Sequence, residues 1–190
     1  MRVAAPPNDR NWPRGTIFTV GHSTLPIERF TALLAAYAIE RLVDVRTVPR
    51  SRHNPQFNAD ALAASLADAA IVYAAMPALG GLRHARADSP NGGWRNKSFR
   101  GYADHMQSAA FRDAIAALVR TGMEARTAIM CAEAVPWRCH RSLIADALVV
   151  RGIEVVEILS ETSWRMHALT PFARIDGTSI IYPPDQATLF

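Results

Sequence analysis

The sequence has little of what marks several other classes of protein. It contains two cysteines, a single lysine among 21 basic residues, and no apolar run near the roughly 20 residues that a membrane-spanning helix needs. Two cysteines cannot build the disulfide framework of a small secreted domain, so we expect free thiols and a cytoplasmic protein. Residues 1–14 have no apolar core, so they predict neither a signal peptide nor a membrane anchor.

What the chain does have is length, apolar residues and arginine. Its 190 residues are 49% hydrophobic and 20% charged, which excludes a disordered or fibrous protein. This length suits one domain, which buries roughly 70% of its unfolded surface without a metal or disulfide. All but one of the basic residues are arginine, yet the net charge is only +4. The positions of the arginines are therefore more informative than their number.

Apolar periodicity predicts strands that alternate with helices. Helical spacing of apolar residues is clearest over about 102–120. The alternation predicts a single-domain α/β protein with a Rossmann-like three-layer fold and a mainly parallel sheet of about five strands. The turn residues Asp176-Gly177 predict a C-terminal β-hairpin extension. The predicted strands are 16–20, 41–46, 71–76, 126–131 and 153–159.

These elements define three segments. We expect a flexible N-terminal segment at 1–15, the α/β domain at 16–160, and a tail at 161–190 that packs on the same domain. Residues 77–100 form the only long stretch without a periodic pattern, and they contain Gly80-Gly81 and four arginines. Long irregular segments inside a domain are commonly functional, so we predict a lid over the site.

The polar and chemically reactive side chains concentrate where the predicted strands end. In a parallel sheet, the carboxyl ends of the strands lie along one edge, and ligands bind beyond that edge. The opposite ends of the strands carry ordinary loop residues such as Glu40 and Glu154. We therefore predict one functional site formed by His22, Ser23, Asp44, Arg46, Arg50, Arg52, Cys131, Glu133, Cys139, His140 and Arg141.

Arginine dominates this set and predicts an anion-binding site. A guanidinium group matches phosphate or carboxylate with two parallel hydrogen bonds. A helix predicted to begin near Cys139 would add the positive end of its dipole, and Asp44 and Glu133 would orient the arginines. The same charges would also suit an internal network that ties loops to the sheet. The predicted ligand-binding residues are Ser23, Asp44, Arg46, Arg50, Arg52, Cys139, His140 and Arg141.

Three residues are candidates for catalysis. His22 could act as a general base, and Glu133 could share in proton transfer. Cys131 could be a nucleophile, or simply a small buried residue at the end of a strand. Its loop differs from the C-x5-R oxyanion cradle of phosphatases, because the spacing from Cys131 to Arg138 is C-x6-R.

The two cysteines support two further alternatives. Cys139 in the first turn of a helix would have a lowered pKa, which favours thiol chemistry. Cys131, Cys139 and His140 could also hold a metal ion with His22 or His53 as a fourth ligand. Because the chain lacks the C-x2-C and H-x3-H pairs typical of zinc sites, we predict no metal and no cofactor.

Six short motifs follow one another along the chain: Val20-Gly21-His22-Ser23, Val43-Asp44-Val45-Arg46 with Pro49-Arg50-Ser51-Arg52, Phe57-Asn58, Leu79-Gly80-Gly81, Gly101-Tyr102-Ala103, and Met130-Cys131-Ala132-Glu133 with Pro136 and Cys139-His140-Arg141. In these motifs, over roughly residues 16–160, the chain resembles the family called domain of unknown function 488. The tail, with His167 and Tyr182-Pro183, is similar to it as well. The resemblance implies little about activity, because the family's name assigns none.

The residues themselves therefore carry the functional prediction. We expect a protein that binds an anionic small molecule or nucleotide at the carboxyl edge of the sheet, with or without catalysis. One alternative is a nucleic-acid-binding or processing module, supported by the basic charge but by no recognisable motif. The other is a thiol- or metal-dependent protein that uses Cys131, Cys139 and His140. We expect no membrane partner.

Overall fold

Five parallel strands and one antiparallel edge strand form the main sheet of the computed structural model, which describes residues 11–184. Across the sheet the order is β3-β2-β4-β1-β5-β6. This order puts β2, β4 and β1 side by side, so the residues that follow these strands meet at one edge. The strands are β1 Ile17–Gly21, β2 Arg41–Asp44, β3 Val72–Ala75, β4 Thr127–Cys131, β5 Val155–Ile158 and β6 Trp164–Met166.

Helices connect the parallel strands. In the described residues they are α1 Ile27–Ala36, α2 Ala59–Asp68, α3 Lys97–His105, α4 Ala109–Glu124 and α5 Arg141–Val149. Three short 3₁₀ turns each begin with a proline, whose fixed φ suits the first position of a helical turn. These turns are Pro55–Phe57, Pro77–Leu79 and Pro136–Arg138, and the last two lie just after β3 and β4.

Alternate side chains of the central strands feed two separate cores, because successive residues of a strand point to opposite faces. On one face, Phe18 packs in a core with Leu34 of α1 and Leu62 of α2. On the other face, Ile17 packs in a core that includes Leu118 of α4 and residues of α5. Helices thus cover both faces of the sheet, which confirms the predicted three-layer α/β fold.

The region predicted to be helical over about 102–120 is helical, with one interruption. The structure has two helices there, α3 and α4, because Ser108 caps a new helix by accepting a hydrogen bond from the N–H of Phe111 at 3.1 Å. Helix α3 begins at Lys97, inside the stretch predicted as a loop, with the Asn96 side chain as its cap. The predicted lid therefore ends in a helix.

Two further differences concern element ends. The sheet has a sixth strand, β6, which was missed because three residues are too few to show an alternating pattern. The helix predicted to begin near Cys139 begins instead at Arg141. Cys139 has an extended backbone at the end of a 3₁₀ turn, so it does not lie in the first turn of the helix.

The predicted C-terminal hairpin is present. β7 Arg174–Asp176 and β8 Ser179–Ile181 pair antiparallel around Gly177, whose φ of +57° favours glycine.

The ends of the domain were also predicted from sequence. Of the segment predicted at 1–15, residues 1–10 lie outside the described residues; Trp12 is buried, with edge-on contacts to Phe18 and Trp164. The boundaries at 16–160 and 161–190 stay predictions. Across residues 11–184, no helix combines the length and apolarity needed to cross a membrane.

Candidate functional site

Two adjoining cavities open at the carboxyl edge of the sheet, where β1, β2 and β4 end. The first has a volume of about 390 Å³, and we call it the thiol cavity because Cys131, Cys139 and His140 line it. The second has a volume of about 530 Å³, and we call it the arginine cavity. The residues that face both cavities are Arg46, Val48, Ala132 and Glu133, and those of the arginine cavity include His22, Ser23, Thr24, Arg50, Ser51 and Asn54.

Arg46 is held by an internal ion pair. Its Nε donates to the Asp44 carboxylate at 2.9 Å, and its Nη2 donates to the same carboxylate and to the carbonyl of Phe57. Tyr73 donates its hydroxyl to the same carboxylate at 2.9 Å. Asp44 is thus the counter-charge predicted for Arg46, and it is buried with its partner. Arg46 nevertheless borders both cavities.

His22 is buried behind Arg46, with 2% of its surface exposed. Its ring stacks on Phe57 with 4.0 Å between centroids, and Nδ1 lies 2.8 Å from the carbonyl of Ser23. Because Nδ1–H donates to that carbonyl, Nε2 is free to accept from Arg46 Nη1 at 3.3 Å. Burial lowers the pKa of His22 to about 4. His22 is therefore neutral at pH 7 and orients Arg46.

Arg141 lies beneath the loop that joins β4 to α5. Only 1% of its surface is exposed. Its Nη1 donates to Thr19 Oγ1 at 2.6 Å, and its Nη2 donates to the backbone carbonyl of Glu133. Its Nε has no hydrogen-bond partner. Within residues 11–184 no carboxylate forms an ion pair with it, so this arginine brings an uncompensated positive charge into the interior.

Glu133 does not balance that charge. Its carboxylate accepts a hydrogen bond from the N–H of Val135 at 3.1 Å, which closes its own loop. The loop can approach β1 closely because Gly21 has no side chain: a Cβ there would lie 2.0 Å from the Glu133 carbonyl oxygen. The same carbonyl is therefore available to Arg141.

Cys131, Cys139 and His140 form one compact cluster, with their two sulfur atoms and one ring nitrogen all within 4.8 Å of one another. His140 Nε2 lies 3.1 Å from the carbonyl of Val45, so Nε2 carries the proton in the neutral ring and Nδ1 faces Cys139 Sγ at 3.7 Å. Gly81 packs against the ring, since a Cβ there would lie 2.5 Å from Nδ1. The imidazole is thus fixed in position and tautomer.

The two thiols are electrostatically different. The hydrogen bond from Cys131 lowers the pKa of Cys139 well below its usual range, and His140 and the positive charge of Arg141 lower it further. The same hydrogen bond, with burial, raises the pKa of Cys131. The direction of the two shifts means that, if the pair loses one proton, it is lost from Cys139.

The same three side chains are a candidate metal set, which returns to the alternative drawn from the sequence. Three ligands with an open fourth position occur in catalytic zinc sites. Neither His22 nor His53 joins the cluster: His22 is bonded to Ser23 and Arg46, and His53 is exposed. The charge of Arg141 acts on both sulfur atoms and opposes a cation there. This charge favours thiol chemistry over a metal ion.

The four arginines predicted to bind an anion do not share one environment. Arg46 is paired and borders both cavities, while Arg141 is buried beneath them. Arg50 is exposed and lines the arginine cavity. Arg52 is exposed and lines neither cavity. Two of the four, Arg46 and Arg50, are therefore in position to meet a ligand.

The structure also brings in residues that the sequence reasoning missed. Ser98 and Phe99, in the first turn of α3, line the thiol cavity together with Gly81 and Leu82 of the predicted lid. A capping asparagine, Asn96, three residues before the apolar Phe99 was the signal that could have located this helix start. A further cavity of about 670 Å³ adjoins this wall and is lined by Arg83, His84, Arg86, Lys97 and Arg100.

Comparison with known proteins gives one match. The family model described as "Domain of unknown function DUF488" matches residues 26–148. This range contains Asp44, Arg46, Cys131, Cys139 and Arg141, so most of the two cavities lies within it. No curated protein and no solved structure matches the chain.

Proposed function

The chain belongs to the DUF488 family, whose name assigns no reaction, and we propose that its function is thiol chemistry on a small anionic ligand, with Cys139 as the reactive thiolate. The thiolate faces the thiol cavity, and the anionic group of the ligand binds in the arginine cavity. The proposal puts the protein in a reducing compartment, the cytoplasm, where both thiols stay free.

The buried charge of Arg141 is the observation that carries this proposal. Burying a cation without a counter-charge costs on the order of several kcal/mol of folding free energy, even after the protein relaxes around it. Thr19 and the Glu133 carbonyl are neutral acceptors, so they do not compensate the charge. Cys139 is an ionisable group on which that charge acts directly. A thiolate at Cys139 therefore makes the interior electrically neutral.

His140 completes the reactive pair. Its Nδ1 lies 3.7 Å from Cys139 Sγ, while its Nε2–H stays bonded to the carbonyl of Val45. A nucleophile beside a base whose position is fixed by a third group is the common arrangement of thiol-dependent catalysis. The Cys139 thiolate attacks an electrophilic atom of the bound ligand, the bond from that atom to its leaving group breaks, and the leaving group takes its proton from water.

Arg46 and Arg50 select the anionic ligand. Nη1 of Arg46 has two N–H groups and, within the described residues, one partner, His22. Arg46 borders both cavities, and Arg50, which is exposed, lines the arginine cavity. Because His22 accepts from Arg46 and is neutral, we assign it a positioning role. A ligand that fills both cavities contacts their shared wall, Arg46, Val48, Ala132 and Glu133.

The pH dependence of alkylation tests the thiolate. An ordinary thiol with a pKa near 8.5 is only about 0.03% ionised at pH 5, so iodoacetamide modifies it roughly three thousand times more slowly there than at its plateau. We expect one thiol of the native protein to react at pH 5 at a rate close to its plateau value. Mass mapping identifies it as Cys139, and the Cys139→Ser variant loses the fast reaction.

Two results would contradict this function. An alkylation rate that rises tenfold per pH unit up to pH 8 means that no thiolate exists at neutral pH. Stoichiometric zinc or iron in the purified protein, lost in Cys139→Ser, means that the cluster is a metal site. Failure of nucleotides and sugar phosphates to raise the melting temperature removes the anionic ligand but not the thiolate.

Nucleic acid is the second candidate partner, favoured by the basic cavity beside the thiol cavity. That cavity contains three arginines, a histidine and a lysine. If this cavity binds a phosphate backbone, binding of single-stranded probes weakens steeply as the salt concentration rises. Lys97→Ala should then reduce the slope of log binding constant against log salt concentration by about 1. Binding that does not change with salt excludes this partner.

A further inference from the structure

We propose that Cys131 and Cys139 form a dithiol–disulfide couple that reacts with low-molecular-weight disulfides and whose oxidised form is strongly oxidising. The inference rests on the proposed thiolate function and names its substrate class. It concerns Cys131, for which the thiolate proposal has no chemical step.

The geometry brings the two sulfur atoms together. They lie within 4.8 Å of each other and both border the thiol cavity. Cys131 ends β4, and Cys139 follows the turn Pro136–Arg138, so a short loop joins them. Most side chains of that loop face solvent, including Ala132, Ala134 and Trp137. The loop can therefore adjust to close the remaining distance without disturbing a packed core.

The exchange reaction uses the two thiols in order. The Cys139 thiolate attacks one sulfur of a disulfide R–S–S–R; a bond forms between Cys139 and that sulfur, the substrate S–S bond breaks, and one R–S⁻ leaves. Cys131 then attacks Cys139 Sγ, a second R–S⁻ leaves, and the Cys131 proton passes to one of the two leaving groups. The protein loses two electrons and one proton, and the substrate becomes R–SH and R–S⁻.

Arg141 makes the protein disulfide unfavourable. In the reduced form, the Cys139 thiolate balances the buried guanidinium, whose Nε has no partner and whose other contacts are neutral acceptors. A disulfide carries no charge, so oxidation leaves the cation buried without a counter-charge. A couple whose reduced form is selectively stabilised is a strong oxidant. A structural disulfide behaves in the opposite way, because it stabilises the folded protein.

Two measurements on the full chain test the inference. After incubation with hydroxyethyl disulfide or oxidised glutathione, acid-quenched mass spectrometry should show the loss of two hydrogens in wild type. Cys131→Ser should instead keep one mixed disulfide on Cys139. The second measurement uses glutathione buffers and a free dithiol peptide of residues 131–139 as the reference. At the ratio of reduced to oxidised glutathione that half-oxidises the peptide, the reduced protein should exceed the oxidised protein at least tenfold.

Thermal unfolding gives the independent readout. The oxidised protein should melt at a lower temperature than the reduced protein. Arg141→Met removes the buried charge and should remove this difference, shifting the glutathione equilibrium at least tenfold toward the disulfide. If Arg141→Met does not fold, the comparison of oxidised and reduced wild type still decides the matter. An oxidised protein that melts higher overturns the inference.

The outcome is separable from that of the proposed function. Fast alkylation of Cys139 at pH 5 together with no intramolecular disulfide overturns the couple and leaves the thiolate intact. A disulfide that forms readily while both thiols titrate normally overturns the proposed function, and with it the role of Arg141 in this couple.

Discussion

Two clusters of buried ionisable groups each include a residue of α5, and they differ in whether their charges are satisfied. In the first, which we call the tail cluster, His167 donates from Nε2 to Asp146 at 2.9 Å and from Nδ1 to Glu157 at 2.7 Å. Arg165 adds a second cation to Glu157, and Tyr182 donates its hydroxyl to Asp146 at 2.8 Å. Two carboxylates thus meet two cations.

The second cluster is that of Cys131, Cys139, His140 and Arg141. Its one permanent cation has no carboxylate partner in the described part of the chain, and one of its N–H groups has no acceptor. It borders an open cavity, whereas Asp146 and Glu157 are completely enclosed. A satisfied buried network holds structure together, and an unsatisfied one at a cavity indicates chemistry. This contrast is what assigns the tail cluster to stability and the thiol cluster to function.

Removal of His167 should have the largest effect. His167→Ala leaves two buried carboxylates facing each other without their shared cation, which should lower the free energy of unfolding by about 3–5 kcal/mol. Urea unfolding measures the change. The exposed His53 gives the control, since His53→Ala should stay within about 0.5 kcal/mol of wild type. A loss below 1 kcal/mol for His167→Ala would show that the tail cluster does not stabilise the fold.

The same residue should also make the stability of the protein depend on pH. Although burial opposes it, hydrogen bonds to Asp146 and Glu157 raise the pKa of His167 from 6.5 to about 9. A raised folded-state pKa stabilises the protein fully below pH 6.5, and this contribution disappears as the pH rises through about 9. The loss amounts to roughly 3 kcal/mol between pH 6 and pH 10.

The loss is best measured as the difference in unfolding free energy between wild type and His167→Gln. The thiols contribute equally to both proteins, so their own pH dependence cancels in this difference. The difference in unfolding free energy should be greatest at pH 6 and shrink toward pH 10. A difference that does not change over this range would mean that His167 is neutral in the folded protein, and the comparison between the two clusters would lose its basis.

The sequence allowed part of this contrast to be predicted. Strand ends located the edge at which Cys131, Cys139 and Arg46 meet, because parallel strands order that edge regardless of side-chain detail. The sequence left two alternatives for Arg46, an ion pair with Asp44 or contact with a ligand. Residues two apart in sequence at the end of a strand can do either. No local pattern in the sequence shows that Arg141 lacks a carboxylate partner. Its partners are Thr19, in the middle of β1, and Glu133, in the loop after β4.

Gly81 makes a second contact that the sequence could not predict, and a substitution there gives the next prediction. A Cβ at this position would lie 2.5 Å from His140 Nδ1, although the two residues are far apart in sequence. Gly81→Ala should therefore displace the imidazole from Cys139 and cost about 1–3 kcal/mol of stability. Alkylation of Cys139 at pH 5 should slow by about tenfold, which requires the thiol pKa to rise to about one unit above the pH of the assay.

Gly92→Ala is the matched control, because its Cβ would meet only Pro184 at 3.3 Å, away from the thiols. This variant should alkylate at the wild-type rate at pH 5. Equal rates in Gly81→Ala and wild type would mean that the position of His140 does not matter for the thiolate, and that Arg141 and Cys131 alone set its pKa.

The smallest expected effect separates two arginines that sequence alone could not distinguish. Arg50 and Arg52 are both exposed, but only Arg50 lines the arginine cavity. An exposed charge that meets an anion contributes about 0.2–1 kcal/mol, so Arg50→Ala should weaken the binding of a sugar phosphate by roughly twofold to fivefold. Arg52→Ala should leave affinity unchanged. Isothermal titration at low salt resolves the two variants, and equal weakening by both would indicate a diffuse positive field instead of a cavity-bound anion, because a field depends on charge and not on which residue faces the ligand.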